Sequence, residues 1–285
     1  MFEQKKVKEL VLFSLVADSY SLGTHWVYDE KQLANANVNW ENLNAPLAIW
    51  HKGKVAGEFT HYGDQTYWLY EFLKDKDIFD VKDYMFYWYE NMKTYNGYID
   101  GASKNTMQNI ANGIIPSGSS STDLSIVGRI APLLKVSNTK EEFLENVDKL
   151  VKVTHNSLKA VTCARFFAKL LLLVLDGKDI EQSIVSLKDE FDSSVQKIID
   201  KAIASKEKGT YETIRDFGPA CDIDEGFGGV IHLLCKYKNL KDMLICNSKA
   251  GGDTSSRAMI ATLIFMANKP ISQIPQNWLA IKVII

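Results

Sequence analysis

Apolar residues recur at three- and four-residue intervals from one end of this chain to the other. Val7, Leu10, Val11, Ser14, Leu15 and Asp18 fall on one face of a first helix, which delivers Asp18 to its C-terminal end. A stretch rich in Gly, Asn, Pro and Trp follows over residues 23–60. "GDQTYWLYEFLKD" then reads as a helix with Asp64, Gln65 and Thr66 in its first turn. The same spacing predicts helices in "DVKDYMFYWYENMKTY", "SKNTMQNIANG", "SIVGRIAPLLKV", "TKEEFLENVDKLVKVT" and "SLKAVTCARFFAKLLLLVLDG". It continues through "KDIEQSIVSLKDEF", "SSVQKIIDKAIASKE", "DEGFGGVIHLLCKY", "LKDMLICNSK" and "DTSSRAMIATLIFMA". Asp, Ser or Thr stands near the starts and Gly near several ends. No alternating run of strand length interrupts the pattern, and "PSGSSST" is too short to separate domains. The chain is therefore expected to be all-α: a single domain over residues 1–285, built as a multi-helix orthogonal bundle with polar loops where helix ends meet.

Composition narrows the function. A net charge of -2 over 285 residues, with no block of like charges, gives no footprint for nucleic acid or an anionic membrane. "KLLLLVLDGKD" is the most apolar run, yet far shorter than the roughly 20 residues that span a bilayer, so it reads as a buried core helix. The Lys-rich N-terminus lacks a small-residue cleavage site and is helical in its spacing, unlike a signal peptide. The four cysteines show neither CxxC nor zinc-finger spacing and read as buried thiols in a reducing compartment. A cytoplasmic protein is expected.

Candidate chemistry gathers at two helix starts. In "AGGDTSSRAM", Gly251 and Gly252 permit a tight bend and close approach of a ligand, and Asp253 stands at an N-cap with Ser255 and Ser256 in the first turn. Plain capping of orphan N–H groups explains such an Asp. "HYGDQT" repeats the arrangement at Asp64 and Thr66, far away in sequence. Two helix tips each offering a carboxylate and a hydroxyl suit a hard cation, and their N–H groups equally suit a phosphate.

Together with "VADSYSLGTHWVYD", "GYIDGASKNT", "GRIAPLL" and "VTHNSLKAV", these motifs stand in an order that resembles the ADP-ribosylglycohydrolase family. The wording of "ADSYSLGTHWVYD", "GYIDGASKNT" and "YGDQ" is similar to its J-type crystallin and selenoprotein J branch. The resemblance implies an all-α fold with two Mg²⁺ or Mn²⁺ ions at its centre, cleaving the bond between ribose and an acceptor. The substrate class would be an ADP-ribosylated protein or a related ADP-ribose-type small molecule. The family's first metal motif carries two consecutive aspartates; here Gly63, Asp64, Gln65 and Thr66 match it, so an amide replaces the second. Its last motif is Gly-Gly-Asp-x-Asp-Thr/Ser, matched by Gly251 to Ser256, with Ser255 in place of the second aspartate. Two dications facing only two carboxylates would repel each other with little compensation. One divalent cation, or none, is expected, held by Asp64, Thr66, Asp253, Ser255 and Ser256. Either the hydrolase survives with a depleted metal site, or the chain is an inactive ADP-ribose binder or crystallin-like structural relative.

Other residues are less constrained. Arg257, one turn after Asp253, is a candidate to take the place of a lost ion or to make an ordinary pair. No glutamate stands where the family has its catalytic one, so Asp29 is the nearest candidate base; a capping role also fits it. Asp64, Gln65 and His155 are further catalytic candidates by the resemblance. His25 and Trp26, with Tyr28, suit a wall for adenine. Ser119, Ser120 and Ser121 lie where the family binds phosphate and ribose, though a Gly/Ser stretch also serves as a plain connector.

Overall fold

The computed structural model describes residues 2–285, and among them thirteen α-helices and five short 3-10 turns account for the regular structure. The helices are α1 (Gln4–Ser21), α2 (Glu30–Asn35), α3 (His61–Leu73), α4 (Val81–Thr94), α5 (Gly101–Ala111), α6 (Lys140–Thr154) and α7 (Leu158–Leu175). They continue as α8 (Ile180–Lys188), α9 (Ser193–Ala204), α10 (Thr210–Phe217), α11 (Ile223–Lys236), α12 (Leu240–Ala250) and α13 (Thr254–Phe265). No strand forms among the described residues; three isolated bridges tie loops together. The protein is all-α, as the periodicity predicts.

Helix starts follow the predicted side-chain logic. Thr60, Asp80, Asp100, Thr139, Ser157, Asp179, Asp192, Asp222, Asn239 and Asp253 each cap a helix by accepting an N–H from its first turn. One segment departs from expectation. "SIVGRIAPLLKV" is not a single helix but two 3-10 turns, Leu124–Arg129 and Ala131–Val136, meeting at Ile130. Pro132 has no N–H to give a continuous helix, and Gly128 lies so close to Met259 that a Cβ there would stand 2.9 Å from its Cβ.

α13 is buried along its whole length and packs against α1, the neighbouring turn Leu124–Arg129 and α11. That explains why "AMIATLIFMA" is apolar all round rather than on one stripe. One apolar cluster runs from Val7 through Phe166, Phe167 and Leu170 to Trp278. No described helix is long and apolar enough to cross a membrane. The consequence for function is geometric. The C-terminal end of α1 and the N-terminal ends of α3 and α13 are driven to one place, and all three tips are polar.

Candidate active site

Asp18 is the knot of that place. It is fully buried at the end of α1, and its carboxylate accepts from Thr60 N at 2.8 Å, Thr60 Oγ1 at 2.6 Å and Ser255 Oγ. One side chain thus ties the cap of α3 to the first turn of α13. The fit leaves no spare room: a Cβ on Gly63 would stand 2.2 Å from Asp18 Oδ2. Burial pushes the Asp18 carboxyl up to about 6, against the pull of its Ser255 and Thr60 hydrogen bonds.

Asp253 is both a cap and more than a cap. Its Oδ1 takes the Ser256 N–H at 3.1 Å, while its Oδ2 receives the Tyr62 hydroxyl at 3.3 Å. The same hydroxyl stands 3.3 Å from Asp123 Oδ2, so Asp123 and Asp253 face each other across one phenol. Burial and then the Asp123 charge raise the Asp253 carboxyl, opposed by Arg257. Cys221 completes a group with Asp123 and Asp253 in which candidate ligand atoms all lie within 4.8 Å. Burial, with the two carboxylates, holds its sulfur as a thiol, so the carboxylates are the better cation ligands.

The backbone of "HWV" and "AGGD" builds the adjoining wall. Trp26 N donates to Gly252 O and Gly252 N donates to Val27 O, each at 2.8 Å. Gly252 has φ +69°, and a Cβ would stand 2.2 Å from Pro219 O, so only glycine fits there. Trp26 itself has φ +61°, an uncommon conformation for an aromatic residue at a cleft edge. Its ring stacks on His25 at 4.6 Å and meets Tyr98 edge-on at 5.1 Å, with half-exposed Trp50 beyond.

Asp64 is directed elsewhere. Its Oδ2 is paired with the Lys54 ammonium and accepts the Tyr95 hydroxyl at 2.5 Å. The side chain is largely buried, and burial raises its pKa against the pull of Lys54.

Several sequence candidates sit away from open space. Gln65 Oε1 accepts from Trp88 Nε1 and Arg129 NH1, at 2.9 and 2.8 Å, inside the core. Thr66 donates back to Tyr62 O at 2.9 Å. Ser255 is spent on Asp18, whereas the buried Ser256 hydroxyl has no partner. Arg257 does not pair with either aspartate: its donors go to Asn247 Oδ1, Pro219 O and Gly251 O, bracing the loops around α13. The cation that meets a cleft carboxylate is Lys54. Asp29 is exposed and caps α2 through Lys31 N and Gln32 N, which leaves it a surface cap.

His155 is buried beside the 117–123 loop, with Nδ1 on Thr154 Oγ1 at 2.8 Å and Nε2 without a partner. In that loop the N–H groups of Gly118, Ser119, Ser121 and Asp123 are all used internally, which reduces its capacity as an anion nest. Ser120 is exposed. The residue of this loop that enters the polar centre is Asp123, which caps the Leu124–Arg129 turn. Its signal in sequence is the cap pattern "DLS". Lys54, Tyr62, Tyr95, His51, His61 and Asp100 also reach this region, and sequence reasoning misses them as site residues.

Buried atoms without partners crowd this region: His25 Nε2, His51 Nδ1, His155 Nε2 and Ser256 Oγ. Each such atom costs about 1–3 kcal/mol, and a cluster of them marks space for a ligand or ion.

Residues 2–281 match the ADP-ribosylglycohydrolase family. The chain belongs to that family. Among its relatives, crystallin J1A of Tripedalia cystophora is 25% identical over 96% of this chain and 91% of the crystallin. Crystallin J1B of the same animal is 24% identical with the same coverage. A solved structure titled "ADP-ribosylglycohydrolase-related protein complex" shares the fold, with TM-score 0.76 and 16% identity, covering 96% of this chain and 91% of that one. The ADP-ribosylglycohydrolase family is typically metal-dependent, and this member keeps possible metal-ligand groups. A binuclear centre spanning Asp64 and Asp253 does not fit the residues, because Asp64 already holds an ammonium. A single hard cation fits between Asp123 and Asp253, since Mg²⁺ needs only one or two carboxylates plus waters.

The buried histidines make a pH prediction. Burial lowers His51 to about 3 and His155 and His232 to about 4. Each stays neutral when folded but charges in the unfolded chain below about 6.5, so folding loses about 2 kcal/mol per histidine by pH 5. Asp18 acts oppositely: raised to about 6, it disfavours the fold as pH rises through that value and returns about 1.4 kcal/mol between pH 7 and 5. Asp253 has the same sign. The histidines win, and the urea midpoint is expected to fall between pH 7 and pH 5; a rise would contradict these assignments.

Proposed function

We propose that this protein hydrolyses a ribosyl glycosidic bond of an ADP-ribosylated protein or an ADP-ribose-type small molecule. It would do so with one divalent cation, Mg²⁺ or Mn²⁺, at Asp123 and Asp253. The observation that carries the reading is the Tyr62 hydroxyl, 3.3 Å from both carboxylates. It brings α3, α13 and the 117–123 loop to one point. Cleavage at the ribose anomeric carbon passes through an oxocarbenium-like state attacked by water. When bound, the cation would orient ribose hydroxyls and acidify that water. Asp253 and Asp123, which face each other so that burial and the Asp123 charge raise Asp253, supply the negative charge that would hold the cation. Tyr62, whose own pKa burial pushes further up, keeps its one proton to donate to either carboxylate. His155 Nε2 is free to bond the sugar, and Trp26, Trp50 and Tyr98 offer aromatic faces for adenine. The free cysteines, two of them buried, support a reducing compartment such as the cytoplasm.

A second reading is a non-catalytic, crystallin-like binder. The Lys54–Asp64 pair and the crystallin relatives favour it. Incubation with ADP-ribosylated arginine and serine peptides, with and without Mg²⁺ or Mn²⁺, separates the two. Metal-dependent release of ADP-ribose supports hydrolysis; binding of ADP-ribose without release supports the binder.

A further inference from the structure

Three of the five histidines sit together. His25 lies in the turn after α1, His51 ends the 3-10 turn Ile49–His51, and His61 opens α3. All three are buried, and one nitrogen from each lies within 4.8 Å of the other two. We propose that His25, His51 and His61 form a site for a borderline transition-metal ion of the Zn²⁺ class, separate from the carboxylate pair.

The spacing suits such an ion. His51 Nε2 and His61 Nδ1 are 3.3 Å apart. Tetrahedral Zn²⁺ with bonds of about 2.0–2.1 Å to nitrogen sets its ligand atoms about 3.3–3.4 Å apart. An imidazole–imidazole hydrogen bond has a similar length, but it would leave His25 Nε2 buried and unsatisfied. The outer partners point the same way. His61 Nε2 is 3.1 Å from Asp100 Oδ2, and His25 Nδ1 is 3.3 Å from Asp253 Oδ1. Against burial, His61 holds the Asp100 carboxyl below its usual range, whereas His25 Nδ1 also accepts the Ser255 N–H at 3.4 Å, so its Asp253 contact acts by charge. Carboxylates behind metal-binding imidazoles orient the rings and strengthen them as ligands, and their charge offsets the ion's.

An entry path exists. His51 lines a cavity of about 470 Å³ together with Trp50, Lys54 and Tyr98. The Lys54 ammonium there is already held by Asp64. No cysteine or carboxylate joins the trio among the described residues, so three protein nitrogens leave a coordination position for water or a ligand. The site stands whether or not the hydrolase reading is right.

The test uses the full chain, stripped with chelator and then titrated with Zn²⁺ and with Co²⁺. One equivalent of each is expected to bind, with Co²⁺ giving the strong visible bands of a tetrahedral site. In histidine-labelled protein, ring ¹⁵N signals of three of the five histidines should move on Zn²⁺ saturation. This reading needs no variant, so it survives if substitutions misfold. His51→Ala should abolish stoichiometric uptake, Asp100→Asn should weaken it about 10–100-fold, and Cys221→Ser should leave it unchanged. Absence of stoichiometric uptake would overturn the proposal. So would uptake that leaves those three ring signals unmoved.

Discussion

Asp18→Ala is expected to lower stability by about 3–5 kcal/mol at pH 7, seen as a lower urea midpoint. The carboxylate takes hydrogen bonds from Thr60 N, Thr60 Oγ1 and Ser255 Oγ, all in a site closed to water. Truncation leaves those donors without an acceptor, and the three polar helix tips lose the group that joins them. The cost has an opposing component. Holding the ionised carboxylate in the core is itself unfavourable, as its pKa of about 6 records. Asp18→Asn should therefore cost less, since it keeps one acceptor oxygen and removes the charge, though its amide must face a donor. An alanine variant within about 1 kcal/mol of the parent would show that the knot is unimportant.

The second large effect concerns activity. Asp253→Asn should reduce release of ADP-ribose by about 10²–10³-fold, the scale on which losing one electrostatic stabiliser tells, because the cation loses half the charge that holds it. Stability should change far less. Asparagine caps helices as well as aspartate does, so the bond from Ser256 N is kept. The Tyr62 hydroxyl then faces the amide nitrogen, accepts from it, and donates to Asp123 alone. What disappears is the charge that would hold the cation. Retention of activity within about threefold would remove Asp253 from the chemistry.

The helices are legible in the sequence because apolar spacing and capping residues agree at nearly every start. Asp64 and Asp253 stand out as acids beside small residues at helix tips, but Asp123, which faces Asp253, does not. Their surroundings are not legible. Lys54 and His51 lie in the irregular segment before α3 and Tyr95 at the end of α4, and the packing of α4 on α3 brings Tyr95 to Asp64. Arg257 shows how local spacing misleads. One turn after Asp253 it looks like an ion-pair partner, yet the cap folds back onto Ser256 N while the guanidinium turns to carbonyls at 219 and 251. Gln65 likewise matches a metal position in the motif, but Trp88 and Arg129 claim its oxygen.

On the reading proposed above, the Lys54 ammonium on Asp64 would let a cleft of this family run with fewer ions. An ammonium on Asp64 supplies one positive charge where a dication would otherwise stand, and two charges at close range in a buried site cannot both be kept. Calorimetric titration of the chelator-treated protein with Mg²⁺, a hard cation that avoids imidazoles, is the direct measurement. A single binding event that vanishes in Asp253→Asn, joined by a second in Lys54→Gln, is the predicted result. Two tight Mg²⁺ sites in the unaltered protein, or a lone site indifferent to Asp253, would contradict it.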